Sequence, residues 1–516
     1  MIHACLTGVI HFGGLMSNIT IKNMSFAYDG SDAIFNHVDL NLDSSWKLGL
    51  IGRNGRGKTT LLRILQNQLD YQGTIETSVP FKYFPATIAD EQVSVQTILN
   101  ELVPIENQWM VDRELSLLGL DLEDILDRIF ATLSGGERTK VLLAISFMDN
   151  EHFILLDEPT NHLDTHTRNQ ITTYLQAKRG FIVVSHDRAF LNAVIDHVVA
   201  IEQTQLRLYQ GNFDVYEHEK ALRDQSEYAE NMRLKRDINR LTETAREKAQ
   251  WSNSREQSKS GSRTEFNSKN RGDKGFEGAR AARTMKRSKT LLNRKNDEVN
   301  QKEQLLKDIE TAEPLTMTLL HSPHKVLLAV SDLSIGYTER PLIEPVSFEL
   351  AAGEVIALTG DNGTGKSALI RALLGQHDLI KTGDYHWASQ LIISQVQQDT
   401  SGLTGTLASF SEAHHLVHEE LLGMLFKLGV PRPVFTQNLE QMSEGQKKRV
   451  ELAKSLLTPA HVFIWDEPLN YLDVFNQEQI EQLISQVRPA MLIIEHDQTF
   501  LKAINATPVT LQPFEG

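Results

Sequence analysis

Eight residues, Gly52-Arg53-Asn54-Gly55-Arg56-Gly57-Lys58-Thr59, return later in the chain as Gly360-Asp361-Asn362-Gly363-Thr364-Gly365-Lys366-Ser367, and Lys58 and Lys366 are 308 positions apart. The same displacement recurs along the sequence: 309 from Tyr28 to Tyr337, 309 from Ser134 to Ser443, 309 from Asp157 to Asp466 and 310 from His186 to His496. A repeat this free of insertions predicts two copies of one fold. In the first copy the glycine-rich run follows the apolar segment LGLI and opens the helical pattern TLLRILQNQL. That is the setting of a phosphate loop: glycines let backbone N–H groups close around phosphates, the lysine reaches the β- and γ-phosphates, and the hydroxyl of Thr59 or Ser367 holds Mg²⁺. Fold class follows as α/β, with two P-loop ATPase domains.

Further along each copy, an apolar strand ends in two carboxylates, Asp157-Glu158 after FILL and Asp466-Glu467 after VFIW. The first acid of each pair suits the Mg²⁺ shell, and Glu158 and Glu467 suit the task of orienting or deprotonating the attacking water. His186 and His496 follow a second apolar strand and are placed to contact the γ-phosphate, although a strand-end histidine taken alone is more often structural. Leu133-Ser134-Gly135-Gly136-Glu137 and Met442-Ser443-Glu444-Gly445-Gln446 each precede a helix, where the serine hydroxyl and backbone N–H groups can grip a γ-phosphate. Tyr28 and Tyr337 are candidates to stack on adenine, and Thr60 extends the first phosphate site.

In its order and spacing this set resembles the ATP-binding cassette superfamily, whose signature motif is LSGGQ. The resemblance implies ATP and Mg²⁺ as cofactors, with each ATP held between one cassette's phosphate loop and the other's signature. Ser443, Gly445 and Gln446 are then expected to face Lys58, and Ser134, Gly135 and Gly136 to face Lys366. It also implies a Mg²⁺-side glutamine after a strand of each first lobe. Gln398 in VQQDTS fills that place in the second copy, whereas FKYFPA puts Ala86 there in the first. With Ala86 on one side and Glu444 in place of a signature glycine on the other, the first composite site is expected to hydrolyse ATP more slowly.

Between the copies, residues 213–314 resemble neither. Two charged helical patterns, 217–250 and 283–312, flank a tip at about 251–284. Met285, Leu292, Val299 and Leu306 recur every seven residues in the second, and Tyr228, Met232, Ile238, Leu241 and Ala245 make a looser stripe in the first, predicting an antiparallel helical hairpin. From Arg246 to Lys295 there are fifteen Lys and Arg against five acids, in a chain of net charge −15. A charge run in isolation is more often a solvated linker. Carried on a rigid hairpin and interleaved with Trp251, Phe266 and Phe276, it suits RNA, with Arg255, Lys259, Arg263, Lys269, Arg271, Lys274, Arg280, Arg283, Lys286 and Arg287 as phosphate contacts. The expected organisation is an N-terminal extension over 1–17, cassettes over 18–212 and 315–516, and the linker over 213–314. Translation starting at Met16 would account for the extension.

The single cysteine, Cys5, excludes a disulfide framework and a cysteine-based zinc site. No apolar run approaches the roughly 18 residues of a membrane span, which disfavours a transporter despite the two cassettes. Paired cassettes with a charged hairpin between them resemble the ABC-F translation ATPases. SWKLGLIGRNGRGKTTLL, LYQGNFDVYE, GARAARTMKRSK, IWDEPLNYLDVFN and IEHD look like its Lsa-type antibiotic-resistance branch. That resemblance implies a cytoplasmic monomer that binds the large ribosomal subunit near the tRNA exit site, with rRNA and P-site tRNA as partners. It would need no membrane subunit, and its linker tip would reach toward the peptidyl-transferase centre to relieve lincosamides, pleuromutilins and streptogramin A drugs. A housekeeping ABC-F translation factor is the alternative, and a transporter ATPase subunit a more distant one.

Overall fold

The computed structural model describes residues 18–30, 32–149, 151–161, 163–260, 314–337, 340–361 and 363–514. In the first cassette five parallel strands lie side by side in the order Phe81–Phe84, Phe153–Asp157, Phe181–Val184, Lys47–Ile51 and His197–Glu202, and Gln205–Gln210 adds an antiparallel edge. The central runs FILL and FIVV are buried on both faces, the pattern of a parallel sheet covered on each side. One core, with Leu115, Val141, Ile171 and Phe190, lies between this sheet and the helices. Another joins it to the antiparallel sheet built from Asn18–Ala27, Ala33–Asp43 and Gln72–Thr77.

The second cassette repeats the plan. Its parallel sheet runs Ile393–Val396, Val462–Asp466, Ala490–Ile494, Val355–Thr359, Thr507–Thr510, beside a three-stranded antiparallel sheet of Val346–Ala351, Val326–Ile335 and Ile380–Trp387. In both copies the phosphate loop and the paired carboxylates sit at the C-terminal edge of the parallel strands, where open α/β sheets bind ligands. The expected α/β class and the pair of ATPase domains are borne out.

Contacts divide the chain into two units: the cassettes, up to Tyr216 and again after the linker, form one, and the segment from Glu217 belongs to the other. Cassette joins cassette through Val474, which is buried within the first copy's core. Arg188 donates to Val474 O at 3.2 Å and pairs with Glu481 at 3.3 Å.

The linker opens as one helix, Phe213–Ser260, of 48 residues, about 72 Å long at 1.5 Å per residue. It overruns the expected end at 250, so Trp251, Arg255 and Lys259 lie on a helix rather than in a loop. The reason is in the sequence: neither Gly nor Pro occurs between Phe213 and Gly261, and the Ser- and Asn-rich run WSNSREQSKS lacks a breaker strong enough to stop it. Tyr228 and Met232 are exposed. The side chains of Leu241, Ala245, Trp251, Arg255 and Lys259 lie outside the described residues. So do the second helix at 283–312 with its stripe, the basic residues from Arg263 to Arg287, Asn362, and residues 1–17.

Candidate ATP sites

Each phosphate loop turns into its helix through a left-handed glycine, Gly57 at φ 95° and Gly365 at 94°. A Cβ on Gly57 would stand 2.5 Å from Ile34, so backbone and space both demand glycine there. Lys58 Nζ donates to Gly52 O at 2.7 Å and Asn54 Oδ1 at 3.1 Å, and Lys366 Nζ to Gly360 O at 2.9 Å and Asp361 O at 2.8 Å. Burial pushes both ammonium groups below the usual lysine value, with nearby carboxylates opposing it.

On the metal side the copies differ. Ser367 Oγ donates to Gln398 Oε1 at 3.4 Å and also bonds Asp466, which is 6% exposed and whose Oδ1 has no protein partner. A hydroxyl, a carboxylate with an orphaned oxygen and an amide oxygen form a hard-oxygen donor set that fits Mg²⁺. In the first copy Thr59 Oγ1 donates to Asp157 Oδ2 at 3.3 Å, and the same oxygen accepts from Tyr83 OH at 2.9 Å. Burial, then the Asp157 charge, drives the Tyr83 phenol far above the usual tyrosine value, so it stays a donor. Sequence reasoning passed over Tyr83, because one aromatic in a strand reads as core.

Glu158 and Glu467 both adopt left-handed backbone, at φ 52° and 48°. His186 Nε2 is 3.0 Å from Glu158 Oε1. Burial raises the Glu158 carboxyl to about 8, Lys58 pulling it back and Asp157 adding to the rise, while burial holds His186 well below the ordinary imidazole value. A buried carboxyl poised near neutrality has the character of a general base. In the second copy His496 Nε2 stands 3.9 Å from Glu467 Oε1, and Asn470 Nδ2 donates to Glu467 Oε2 at 2.7 Å. Glu158 Oε2 and His496 Nε2 are buried without a protein partner, as atoms that await a ligand are.

The signature serines serve as helix caps. Ser134 and Ser443 each form a capping box, with Glu137 and Gln446. Gly136 packs under Thr167 and Gly445 under Tyr471, within their own cassettes. Glu444 accepts from Thr400 at 2.7 Å and pairs with Lys447 at 2.9 Å.

What reaches the first phosphate loop from the other cassette is the loop after Glu467. Asn54 N–H donates to Asp473 Oδ2 at 2.7 Å, and Asn54 Nδ2 to Tyr471 O at 3.1 Å. Arg53 lies over the Phe475 ring at 5.7 Å. Arg449, on the signature helix Glu444–Leu457, is close enough to lower Lys58 and His186 electrostatically. At the second loop, Leu163 and Arg168 of the first cassette line a cavity of about 430 Å³ with Tyr337, Lys366, Ser367, Gln398, Glu467 and His496. Ser134 and Gly136 are not in that lining. Asp164 and Asp473 stand at equivalent positions, each capping the next helix, a local role that gave the sequence no reason to single them out. Tyr28 OH lies 3.2 Å from Thr60 Oγ1, and Tyr337 is 61% exposed with Arg371 over its ring at 5.7 Å. A larger cleft of about 1080 Å³ lies at the opposite, N-terminal edge of the first parallel sheet, against Ser44, Phe153 and Gly180. Its buried Glu114 is already paired with Arg113, Tyr174 and Lys178, and neither phosphate loop nor paired carboxylates line it.

The model of the ABC transporter ATPase domain matches the chain twice, over residues 35–161 and 343–470. The chain is 24% identical to ABC transporter F family member 5 of Arabidopsis thaliana, the alignment covering 95% of this chain and 74% of that protein. The chain carries two ABC-type ATPase domains and aligns along nearly its whole length with an ABC-F protein. Other ABC-F relatives are the Bacillus subtilis ribosome protection protein VmlR, 25% identical over 94% of this chain and 85% of its own length, and the Escherichia coli ATP-binding protein Uup, 26% identical over 94% and 79%. The fold is similar to archaeal ABCE1 solved with ribosomal stalk protein aP1, with TM-score 0.60, 18% identity, and coverage of 95% and 87%. No helix among the described residues is long and apolar enough to cross a membrane.

Proposed function

We propose that this ABC-F ATPase binds the large ribosomal subunit and protects translation from antibiotics acting at the peptidyl-transferase centre. The observation that carries the reading is the 48-residue helix Phe213–Ser260, which leads from the first cassette straight into the basic stretch 246–295. A relative named as a ribosome protection protein aligns over 94% of the chain. On this reading the linker tip enters from the tRNA exit site toward P-site tRNA and rRNA, lincosamides, pleuromutilins and streptogramin A drugs are the compounds relieved, and the protein works in the cytoplasm as a monomer.

In each site the phosphate loop and its lysine hold the phosphates, Thr59 with Asp157 or Ser367 with Asp466 and Gln398 hold Mg²⁺, and Glu158 or Glu467 takes a proton from the attacking water. Mg²⁺ when bound neutralises charge on the phosphates and aligns them. His186 orients Glu158 and Asn470 orients Glu467, which leaves His496 Nε2 for the γ-phosphate. ATP closes the cassettes on the ribosome and hydrolysis releases them.

Uup, whose name claims no role in drug protection, aligns as well as VmlR, at 26% against 25% identity, which keeps a housekeeping ABC-F translation factor as the second reading. Cell-free translation with a lincosamide or a pleuromutilin separates the two. Intact protein should restore synthesis. Protein with residues 261–278 replaced by a short Gly/Ser turn, which leaves the helix to Ser260 whole, should hydrolyse ATP yet restore nothing. Absence of rescue by the intact protein rejects the protective role, and rescue by the shortened one rejects the role of the tip.

A further inference from the structure

The first cassette has lost the glutamine that its twin uses on the metal side, and a tyrosine occupies the neighbourhood. Strand registers fix the equivalence: Tyr83 pairs with Leu155, two residues before Asp157, and Gln395 pairs with Ile464, two residues before Asp466. Tyr83 and Gln395 are thus counterparts, as are Ala86 and Gln398. In the second copy the hydroxyl of the phosphate loop is met by Gln398, while Asp466 Oδ1 stays without a protein partner. In the first, Asp157 Oδ2 receives both Thr59 at 3.3 Å and Tyr83 at 2.9 Å. Ala86 has no donor atom to offer. Without a second polar group, Asp157 would be oriented by Thr59 alone, and Thr59 is itself a metal ligand.

We propose that Tyr83 is a positioning residue for the Mg²⁺ of the first ATP site, its hydroxyl holding Asp157 toward Thr59 and replacing from the strand what Gln398 supplies from the loop in the second site. The inference rests on Gly52–Thr59 being a working phosphate loop. Tyr83 need not touch the metal. It fixes one of two oxygen ligands, and a fixed ligand loses less rotational freedom when the cation binds.

The test uses the full-length protein carrying Lys366→Ala, so that nucleotide binding reports on the first site. A fluorescent ATP analogue is titrated with Mg²⁺, and again in EDTA. Tyr83→Phe should raise the Mg²⁺ needed for half-saturation on the order of ten- to a hundredfold, the usual cost of losing a partner that orients a metal ligand, while affinity in EDTA stays unchanged. Adding Ala86→Gln to Tyr83→Phe should recover most of the loss by supplying the missing amide oxygen. An unchanged Mg²⁺ requirement overturns the proposal, and so does a loss of equal size with and without Mg²⁺, which marks Tyr83 as a packing residue. Failure of the Lys366→Ala parent to bind any nucleotide would instead strike at the reading of the first phosphate loop.

Discussion

The two ATP sites come from one template but are not in the same condition. Beside the first phosphate loop, Val474 and Phe475 of the other cassette enclose a gap of only about 10 Å³ with Gly52, Lys58 and His186, whereas the second loop opens on a cavity of about 430 Å³, within the roughly 300–1,000 Å³ of small-molecule pockets. Asp473 presents an anionic oxygen to a phosphate-loop N–H, so the acid of one half satisfies a donor that a phosphate of the other half would use. From the other cassette Leu163 and Arg168 line the second site's cavity, and Asp164, the counterpart of Asp473, is near enough to act on Lys366. Each site thus faces an acid and a base of the other cassette, Asp473 with Arg449 at the first and Asp164 with Arg168 at the second; with its loop N–H engaged and little space beside it, the first is expected to be the harder to load.

This contrast can be broken most readily at the glutamates. Glu467→Gln should lower steady-state ATPase on the order of 10²-fold, the usual worth of a general base, and Glu158→Gln only a few-fold. Equal losses in a phosphate-release assay would erase the distinction. A smaller effect is expected from Asp473→Asn, which keeps a capping oxygen for the helix Val474–Val487 but removes the charge facing Asn54. In the Lys366→Ala background it should tighten nucleotide binding at the first site about tenfold, one hydrogen bond's competition removed. Isothermal titration showing no change, or weaker binding, would mean that Asp473 supports rather than occupies the loop.

Smaller again is a pH effect confined to one site. The Glu158 carboxyl keeps its proton up to about 8 in the folded chain and releases it near 4.3 when unfolded. Folding therefore takes up a proton between those values, and stability falls as pH rises through that window. Burial lowers Lys58 and His186 instead, so their contributions rise with pH, opposite in sign to that of Glu158, and the test changes Glu158 alone. Glu158→Gln should accordingly raise the melting temperature more at pH 8 than at pH 5. A shift independent of pH would show that the carboxyl is ionised throughout.

How much of this was legible beforehand depended on what each residue does locally. Phosphate loops, paired carboxylates and capped signature helices declare themselves because glycine spacing, apolar runs and caps are short-range physics. Tyr83 and Asp473 do not. A tyrosine in FKYF and an aspartate before a helix each have an ordinary local explanation, and their second role appears only when a distant segment is brought within 3 Å. The stop of the first linker helix was misplaced for the opposite reason: serine and asparagine discourage helices without ending them, so Trp251 to Ser260 continued the turn.

The backbone at Glu158 and Glu467, at φ 52° and 48°, has a consequence for how such a protein can drift. A side chain held in the left-handed region stores on the order of 1–3 kcal/mol. Glycine relieves that strain and gives back about 1 kcal/mol in chain entropy. At these two positions substitutions that together silence hydrolysis can therefore also toughen the fold. Random mutagenesis screened for thermal endurance alone would enrich glycine there, yielding a hardier protein with no turnover.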